Sequence, residues 1–169
     1  EFVFTDHTIR YLSMRKFYVD IFAAPKNFDG IQCGSDIAKE LMGRSMSDER
    51  VVVLENKYKS LGLKNLGGSD EEDLFLTSWL VCGDEYSLLQ KKEAVRDVLK
   101  LPHSKETPIF LGVCPIRNEP SEEIIAVLKN EGNAENLPAI SAWSIDHKKA
   151  KFIKLPTEGR LCPRNGIVN

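Results

Sequence analysis

The pattern of apolar and polar positions changes character near Leu74. Before that residue, apolar side chains recur every three or four positions, which is typical of helices with one buried face. After it, short apolar runs alternate with turn-forming residues, which is typical of strands joined by tight turns. The sequence therefore predicts an α+β protein in which N-terminal helices precede a mostly antiparallel β-meander sheet.

Three helices are predicted in the first part of the chain. The first runs through about Ala24, although its aromatic and β-branched residues also permit a strand. The second begins with Ser35 as a candidate cap and ends at Gly43. The third begins at Ser47 and ends at Gly62, although three consecutive valines weaken this prediction.

Seven apolar runs are candidate strands. They are FLTSWLVC, EYSLLQ, AVRDVLKL, PIFLGVC, IIAVLKN, ISAWSID and AKFIKL. The segment around the fifth run begins at Ser121 with two glutamates and suits a helix N-terminus equally well, so both alternatives stay open. The Pro- and Gly-rich tail is predicted to lie across the surface unless Cys162 anchors it. No internal boundary is visible, so residues 1–169 are expected to form a single domain.

The segment SWLVCGDEYSLL resembles a piece of an active site, but its pattern predicts a β-hairpin. A two-residue turn at Gly83 and Asp84 pairs Val81 with Tyr86. One face of the hairpin then carries Trp79, Val81, Tyr86 and Leu88, and the other carries Leu80, Cys82, Glu85 and Ser87. This register separates large, mostly apolar residues from smaller and polar ones, as in a half-buried hairpin.

A second hairpin is predicted around a loop at residues 146–149. Ile145 then faces Ala150, and Trp143 faces Phe152. Because its apolar side again carries a tryptophan, we expect Trp143 and Phe152 to join the same core as Trp79.

Composition and charge restrict the class of partner. With 42% hydrophobic and 28% charged residues, the sequence is that of an ordinary folded domain. Lysine and arginine number 23 and acidic residues 25, for a net charge of −2 without a basic cluster. Nucleic-acid binding is therefore not predicted. No apolar run approaches the ~20 residues that a membrane-spanning helix needs.

Four cysteines are the main clue to the compartment: Cys33, Cys82, Cys114 and Cys162. None lies in a CxxC motif, and Cys33, Cys114 and Cys162 adjoin glycine or proline, where a cross-link would fix irregular chain. We predict two disulfides without assigning the pairs. The alternatives are four buried thiols, or metal binding together with His7, His103 or His147. Disulfides favour a periplasmic or secreted protein, whereas four free thiols favour a cytoplasmic one.

No sequence motif assigns a catalytic residue, a cofactor or a metal site. The acidic run Asp70–Asp73 has oxygen ligands suited to Ca²⁺, but a solvated loop explains it better. His103 lies beside Ser104, yet neighbouring side chains in a loop do not normally form a nucleophile–base pair, so we expect an exposed loop histidine.

Two functions from different classes remain. The first is a non-enzymatic protein-binding domain, such as an exported inhibitor or an immunity-type protein. It rests on the size of the chain, the expected disulfides and an antiparallel sheet with projecting loops. The alternative is a small hydrolase-type enzyme whose site is assembled from distant residues, such as His103 or a cysteine. The sequence does not decide the oligomeric state.

Overall fold

The computed structural model describes residues 25–46, 58–66, 74–116 and 122–168. The regular structure of these ranges consists of two antiparallel sheets, one short α-helix and one 3₁₀ turn. Strands hold 55% of the described residues. The fold is therefore mostly β, and the predicted α+β class with N-terminal helices is wrong.

The first sheet is a four-stranded antiparallel meander whose spatial order follows the chain. Its strands are β1 (Tyr58–Asn65), β2 (Leu74–Val81), β3 (Asp84–Lys91) and β4 (Ala94–Leu101). Cys82 and Gly83 connect β2 to β3 with φ of 53° and 89°, and Lys92 and Glu93 connect β3 to β4 with φ of 53° and 62°. Two central residues with positive φ match the twist of hairpin strands, so both turns are tight.

The second sheet has six strands, four of which form another meander. Its strands are β5 (Ile109–Val113), β6 (Glu123–Leu128), β7 (Asn136–Asp146), β8 (Lys151–Leu155), β9 (Leu161–Pro163) and β10 (Ile167–Val168). After β8 the chain returns, so that β9 pairs with the start of β7 and β10 pairs with β5. The 3₁₀ turn Arg164–Gly166 separates these two short strands.

Residues 25–46 cover one face of the first sheet. Their helix, α1 (Ile37–Leu41), begins after Asp36, whose carboxylate accepts a hydrogen bond from the Lys39 N–H at 3.2 Å. The buried Ile37 and Leu41 belong to the same cluster as Trp79. The second predicted helix is thus confirmed, with Asp36 rather than Ser35 as its cap.

The two sheets pack face to face around a second apolar cluster. Its buried members are Leu76, Leu89 and Leu101 from the first sheet, and Ile109, Ile125 and Val127 from the second. A third cluster, around Phe110, Ile124 and Leu137, occupies the far face of the second sheet. The first sheet therefore lies between residues 25–46 and the second sheet, with an apolar layer on each side.

All four cysteines are paired, in agreement with the two predicted disulfides. Cys33–Cys82 joins residues 25–46 to the β2–β3 turn, and Cys33 is exposed. Cys114–Cys162 is buried, with both residues at 3% exposure or less. Cys162 therefore anchors the C-terminal tail, which is otherwise held by two short strands, the 3₁₀ turn and hydrogen bonds of Arg160 and Arg164.

The helix predictions outside α1 have different outcomes. The predicted third helix is wrong over Tyr58–Gly62, which belongs to β1. Its earlier part and the whole predicted first helix lie outside the described residues. The open choice at Ser121 is decided in favour of a strand, because β6 follows two residues later.

Both predicted hairpins form, but each turn or loop is displaced by one residue. In the first, Trp79 pairs with Tyr86. This register changes each cross-strand partner by two positions, so the predicted faces keep their members except Cys82, which lies in the turn and packs against the Trp79 cluster. The four large residues of one face are buried together. In the second, Ile145 pairs with Phe152 and Trp143 with Lys154. Trp143 and Phe152 pack against the inter-sheet cluster, so the prediction that they share the core of Trp79 is wrong.

Candidate functional site

A row of small residues crosses the face of the first sheet that meets the second. Gly62, Ser78 and Ser87 lie opposite one another on β1, β2 and β3. The two serine hydroxyl oxygens are 3.1 Å apart. Because these side chains are too short to reach the other sheet, they leave a cavity of about 270 Å³, which we call the inter-sheet cavity.

Most of the cavity wall is apolar. Its apolar residues are Leu61, Leu63, Leu76, Ile109, Leu111, Ile125 and Val168. Val168 is 49% exposed, so it forms an apolar edge of the cavity at the surface. A concave apolar site with a few polar groups is the usual form of a binding pocket.

A cation and an acid pair across the two sheets at one end of the inter-sheet cavity. Lys64 lies opposite Leu76, and its Nζ contacts Glu123 Oε1 on β6. Both side chains are more than one third exposed. This pair bridges the sheets at the surface and offsets the charge of Lys64.

A buried carboxylate lies at the other end of the inter-sheet cavity. Glu85 pairs with Leu80, which lies four residues along β2 from Leu76, the partner of Lys64. The two ends are therefore roughly 13 Å apart along the strand direction. Its side chain is only 9% exposed. Glu85 Oε2 lies 3.2 Å from Nδ1 of His103, whose side chain is 50% exposed. Glu85 thus holds an acidic group at the edge of an apolar space.

A second, more polar cavity of about 860 Å³ adjoins the first, and we call it the polar groove. Glu85, Ile109 and Val168 line both spaces. The groove also contains His103 and Arg164. Arg164 is fixed there by its Nε, which donates to the carbonyl of Ala134 at 2.9 Å. The two cavities therefore share part of their wall, with the apolar one on one side of Glu85 and the polar one on the other.

The candidate residues from the sequence are only partly brought together here. His103 is half exposed, but it contacts Glu85 rather than lying free in its loop. Its neighbour Ser104 also lines the polar groove. His147 is exposed in the β7–β8 loop. No cysteine lines either cavity. His7 and the acidic run at residues 70–73 lie outside the described residues.

Within the described ranges, no group of three or more His, Cys, Asp or Glu side chains is arranged to hold a metal ion. The predicted hairpin placed Glu85 and Ser87 on the face away from Trp79, and that assignment is the one signal in the sequence for this site. The contact with His103, 18 residues further on, needs the folded chain.

Comparison with models of known families, with curated proteins and with solved structures finds no match for this chain. The described helices include none that is both long and apolar enough to cross a membrane.

Proposed function

We propose that this protein is a non-enzymatic protein-binding domain that takes an anchor side chain of its partner into the inter-sheet cavity. The observation that carries the proposal is an apolar cavity that reaches the surface beside the exposed Val168. An engineered apolar cavity of about 150 Å³ is large enough to bind benzene. The 270 Å³ found here has room for a large side chain.

The position of β1 favours a polypeptide as the ligand. Among the described strands, β1 is one of the two outer strands of the first sheet, and residues 61–64 of β1 line the cavity. An extended segment that pairs with an outer strand gains main-chain hydrogen bonds and projects alternate side chains toward the sheet face. Such a segment would present one side chain to the cavity next to Gly62.

The two disulfides are compatible with a protein that folds outside the cytoplasm. We propose a periplasmic or secreted location and a role of the inhibitor or immunity type, in which a compact domain captures another protein. Thiol counting on protein purified under denaturing, non-reducing conditions tests the location. Four free thiols would contradict it.

Selection from a displayed library of random peptides tests the binding function. Enriched peptides are then measured against Gly62→Val, which places a β-branched side chain in the cavity. A Cβ added at Gly62 meets no atom within 4 Å, so the fold tolerates this change. Ser60→Val is the matched control, because Ser60 is an exposed residue of the same strand that does not line the cavity.

We expect Gly62→Val to weaken the selected peptides at least about tenfold, since a filled cavity excludes the anchor, and Ser60→Val to leave their affinity unchanged. Equal affinity for Gly62→Val and the wild-type protein would overturn the proposal. A library that yields no enriched peptide would do the same.

The Glu85–His103 contact favours a second candidate, a small hydrolase. A carboxylate that orients an imidazole is a common general-base arrangement, and this pair faces a polar groove large enough for a substrate. A panel of fluorogenic ester, amide and phosphodiester substrates tests this candidate. Turnover that disappears in His103→Ala and persists in His147→Ala would support it over the binding function.

A further inference from the structure

We propose that the anchor side chain is basic, and that Glu85 is the residue that selects it. This inference rests on the proposed binding function and names the class of partner segment, one that presents lysine or arginine. The ammonium or guanidinium group would pair with the Glu85 carboxylate, and the aliphatic stem would lie against the apolar walls of the inter-sheet cavity.

The first argument is the incomplete pairing of a buried charge. The Glu85 side chain is 9% exposed, and a carboxylate at that depth needs partners to offset its lost hydration. Its single side-chain contact among the described residues is His103, through Oε2. Oε1 has no hydrogen-bond or ion-pair partner in the same part of the chain, and it is not among the fully buried unpaired atoms there, so it is open to solvent and to a ligand donor. A carboxylate accepts several hydrogen bonds, so a ligand donor has a place to bind.

The second argument is the shape of the site. Apolar residues such as Leu76, Ile109 and Ile125 line the cavity, while Glu85 lies at its junction with the polar groove. Lysine and arginine have this same order of parts, an apolar stem followed by a charged head. An aromatic anchor would fill the apolar walls but would leave Oε1 of Glu85 without a donor.

The third argument is the placement of the other charges. Lys64, at the far end of the cavity, is already paired with Glu123. Lys105 and Arg164 line the polar groove beyond Glu85. Their positive charge disfavours a second cation in the groove, so the head of a basic anchor is expected to stop at Glu85.

Pools of random peptides that share one fixed central residue provide the probe. The central residues are Lys and norleucine, Arg and citrulline, and Phe, so that each basic residue has a neutral analogue of similar shape. Titrations against the wild-type protein, Glu85→Gln and Glu123→Gln give the preference of each protein. Glu123→Gln is the matched control, because it removes an acid at the opposite end of the cavity.

We expect the wild-type protein and Glu123→Gln to bind the Lys and Arg pools at least about tenfold more tightly than their neutral analogues, since hydrogen bonds to charged groups are the strong ones. In Glu85→Gln the preference is expected to fall below about threefold while binding of the Phe pool is kept. His103→Ala removes the competing partner of Glu85 and is expected to increase the preference for the Lys and Arg pools over their neutral analogues.

The wild-type comparison decides the inference even if Glu85→Gln does not fold. Norleucine bound as tightly as Lys would overturn the basic anchor while leaving the binding function in place, provided that Gly62→Val still weakens every pool. Pools that bind Gly62→Val and the wild-type protein with equal affinity would overturn both the basic anchor and the binding function.

Discussion

The two faces of the β2–β3 hairpin are built from alternate residues of the same strands, yet one is filled and the other is hollow. On the filled face Trp79, Val81, Tyr86 and Leu88 are all at 5% exposure or less. Phe28 packs edge-on against Trp79, with ring centroids 5.0 Å apart. On the hollow face, the row of Gly62, Ser78 and Ser87 leaves the inter-sheet cavity.

This contrast separates stability from recognition within one hairpin. Large residues in register on one face attach the sheet to residues 25–46, whereas small residues in register on the other create space between the sheets. Protein interiors are close-packed, so a row of small residues facing another sheet is an unusual feature. Changes to the filled face should therefore lower stability, and changes to the hollow face should mainly alter binding.

The largest effect is expected from Trp79→Ala, which removes the central aromatic residue of the filled face. We expect a loss of about 3–5 kcal/mol in the free energy of unfolding, the usual cost of truncating a large core residue. Trp143→Ala is the control, because Trp143 is only partly buried and should cost less. Denaturant melts measure both variants, and a loss under about 1 kcal/mol for Trp79→Ala would show that the face is not packed as described.

Removing the Cys33–Cys82 bridge tests the attachment of residues 25–46 to the filled face. The bridge closes 49 residues, which corresponds to about 4 kcal/mol in the chain-entropy model. The double change Cys33→Ser and Cys82→Ser should lower the free energy of unfolding by about that amount. Peptide affinity should be unchanged wherever the variant is folded, because neither cysteine lines the cavity.

Cys114–Cys162 gives a matched comparison, since it closes 48 residues. The two bridges therefore restrict the unfolded chain by nearly the same amount of entropy. Removing Cys114–Cys162 should lower the free energy of unfolding more, because it also disrupts buried contacts. A larger loss for the less buried Cys33–Cys82 bridge would contradict this ranking.

Each face also carries one hydrogen-bonded polar pair, and we expect smaller losses of stability when either pair is broken. On the filled face Gln90 Nε2 donates to Thr77 Oγ1 at 2.6 Å, and both residues are buried. Thr77→Val leaves the glutamine donor without its partner and should cost about 1–3 kcal/mol. Ser87→Ala leaves Ser78 beside a cavity that admits water, so we expect a loss of no more than about 1 kcal/mol. Equal losses in thermal melts would mean that the hollow face is also dry.

Much of the sheet structure could be predicted from local pattern. The apolar runs after Leu74 are strands, and the predicted faces of the first hairpin were right except for Cys82, because a displacement of two positions preserves alternation. The exact turn was missed because Gly83 was taken to begin it. In the fold Cys82 also adopts positive φ, at 53°, which a non-glycine residue rarely does.

The errors arose where tertiary contacts override local pattern. The spacing of Tyr58 and Leu61 suggested a helix, but pairing with β2 makes this segment a strand. The site needed distant contacts as well, because the row of small residues depends on the register of three strands. The polar positions of the hairpin were visible in the sequence, but the cavity that they border was not.

The smallest effect concerns the pH dependence of the filled face. Burial raises the pKa of Tyr86 above its ordinary value of 10.0, although the charge of nearby Lys100 opposes the shift. In the unfolded chain the tyrosine loses its proton near that ordinary value. Its contribution to stability is therefore fully present below about pH 10 and is lost as the pH rises through the higher pKa of the folded state.

Wild-type protein should accordingly lose stability above about pH 10 more steeply than Tyr86→Phe, which has no hydroxyl to ionise at this position. Asp84, 2.8 Å from Lys100 Nζ, raises the pKa of that lysine in both proteins. Tyr86 also contributes to the raised pKa of Lys100, so the difference between the two proteins measures the tyrosine together with its interaction with that lysine. Denaturant melts across the alkaline range measure it. Parallel curves for the two proteins would show that Tyr86 ionises as readily in the folded state as in the unfolded chain, and that the filled face admits water at its edge.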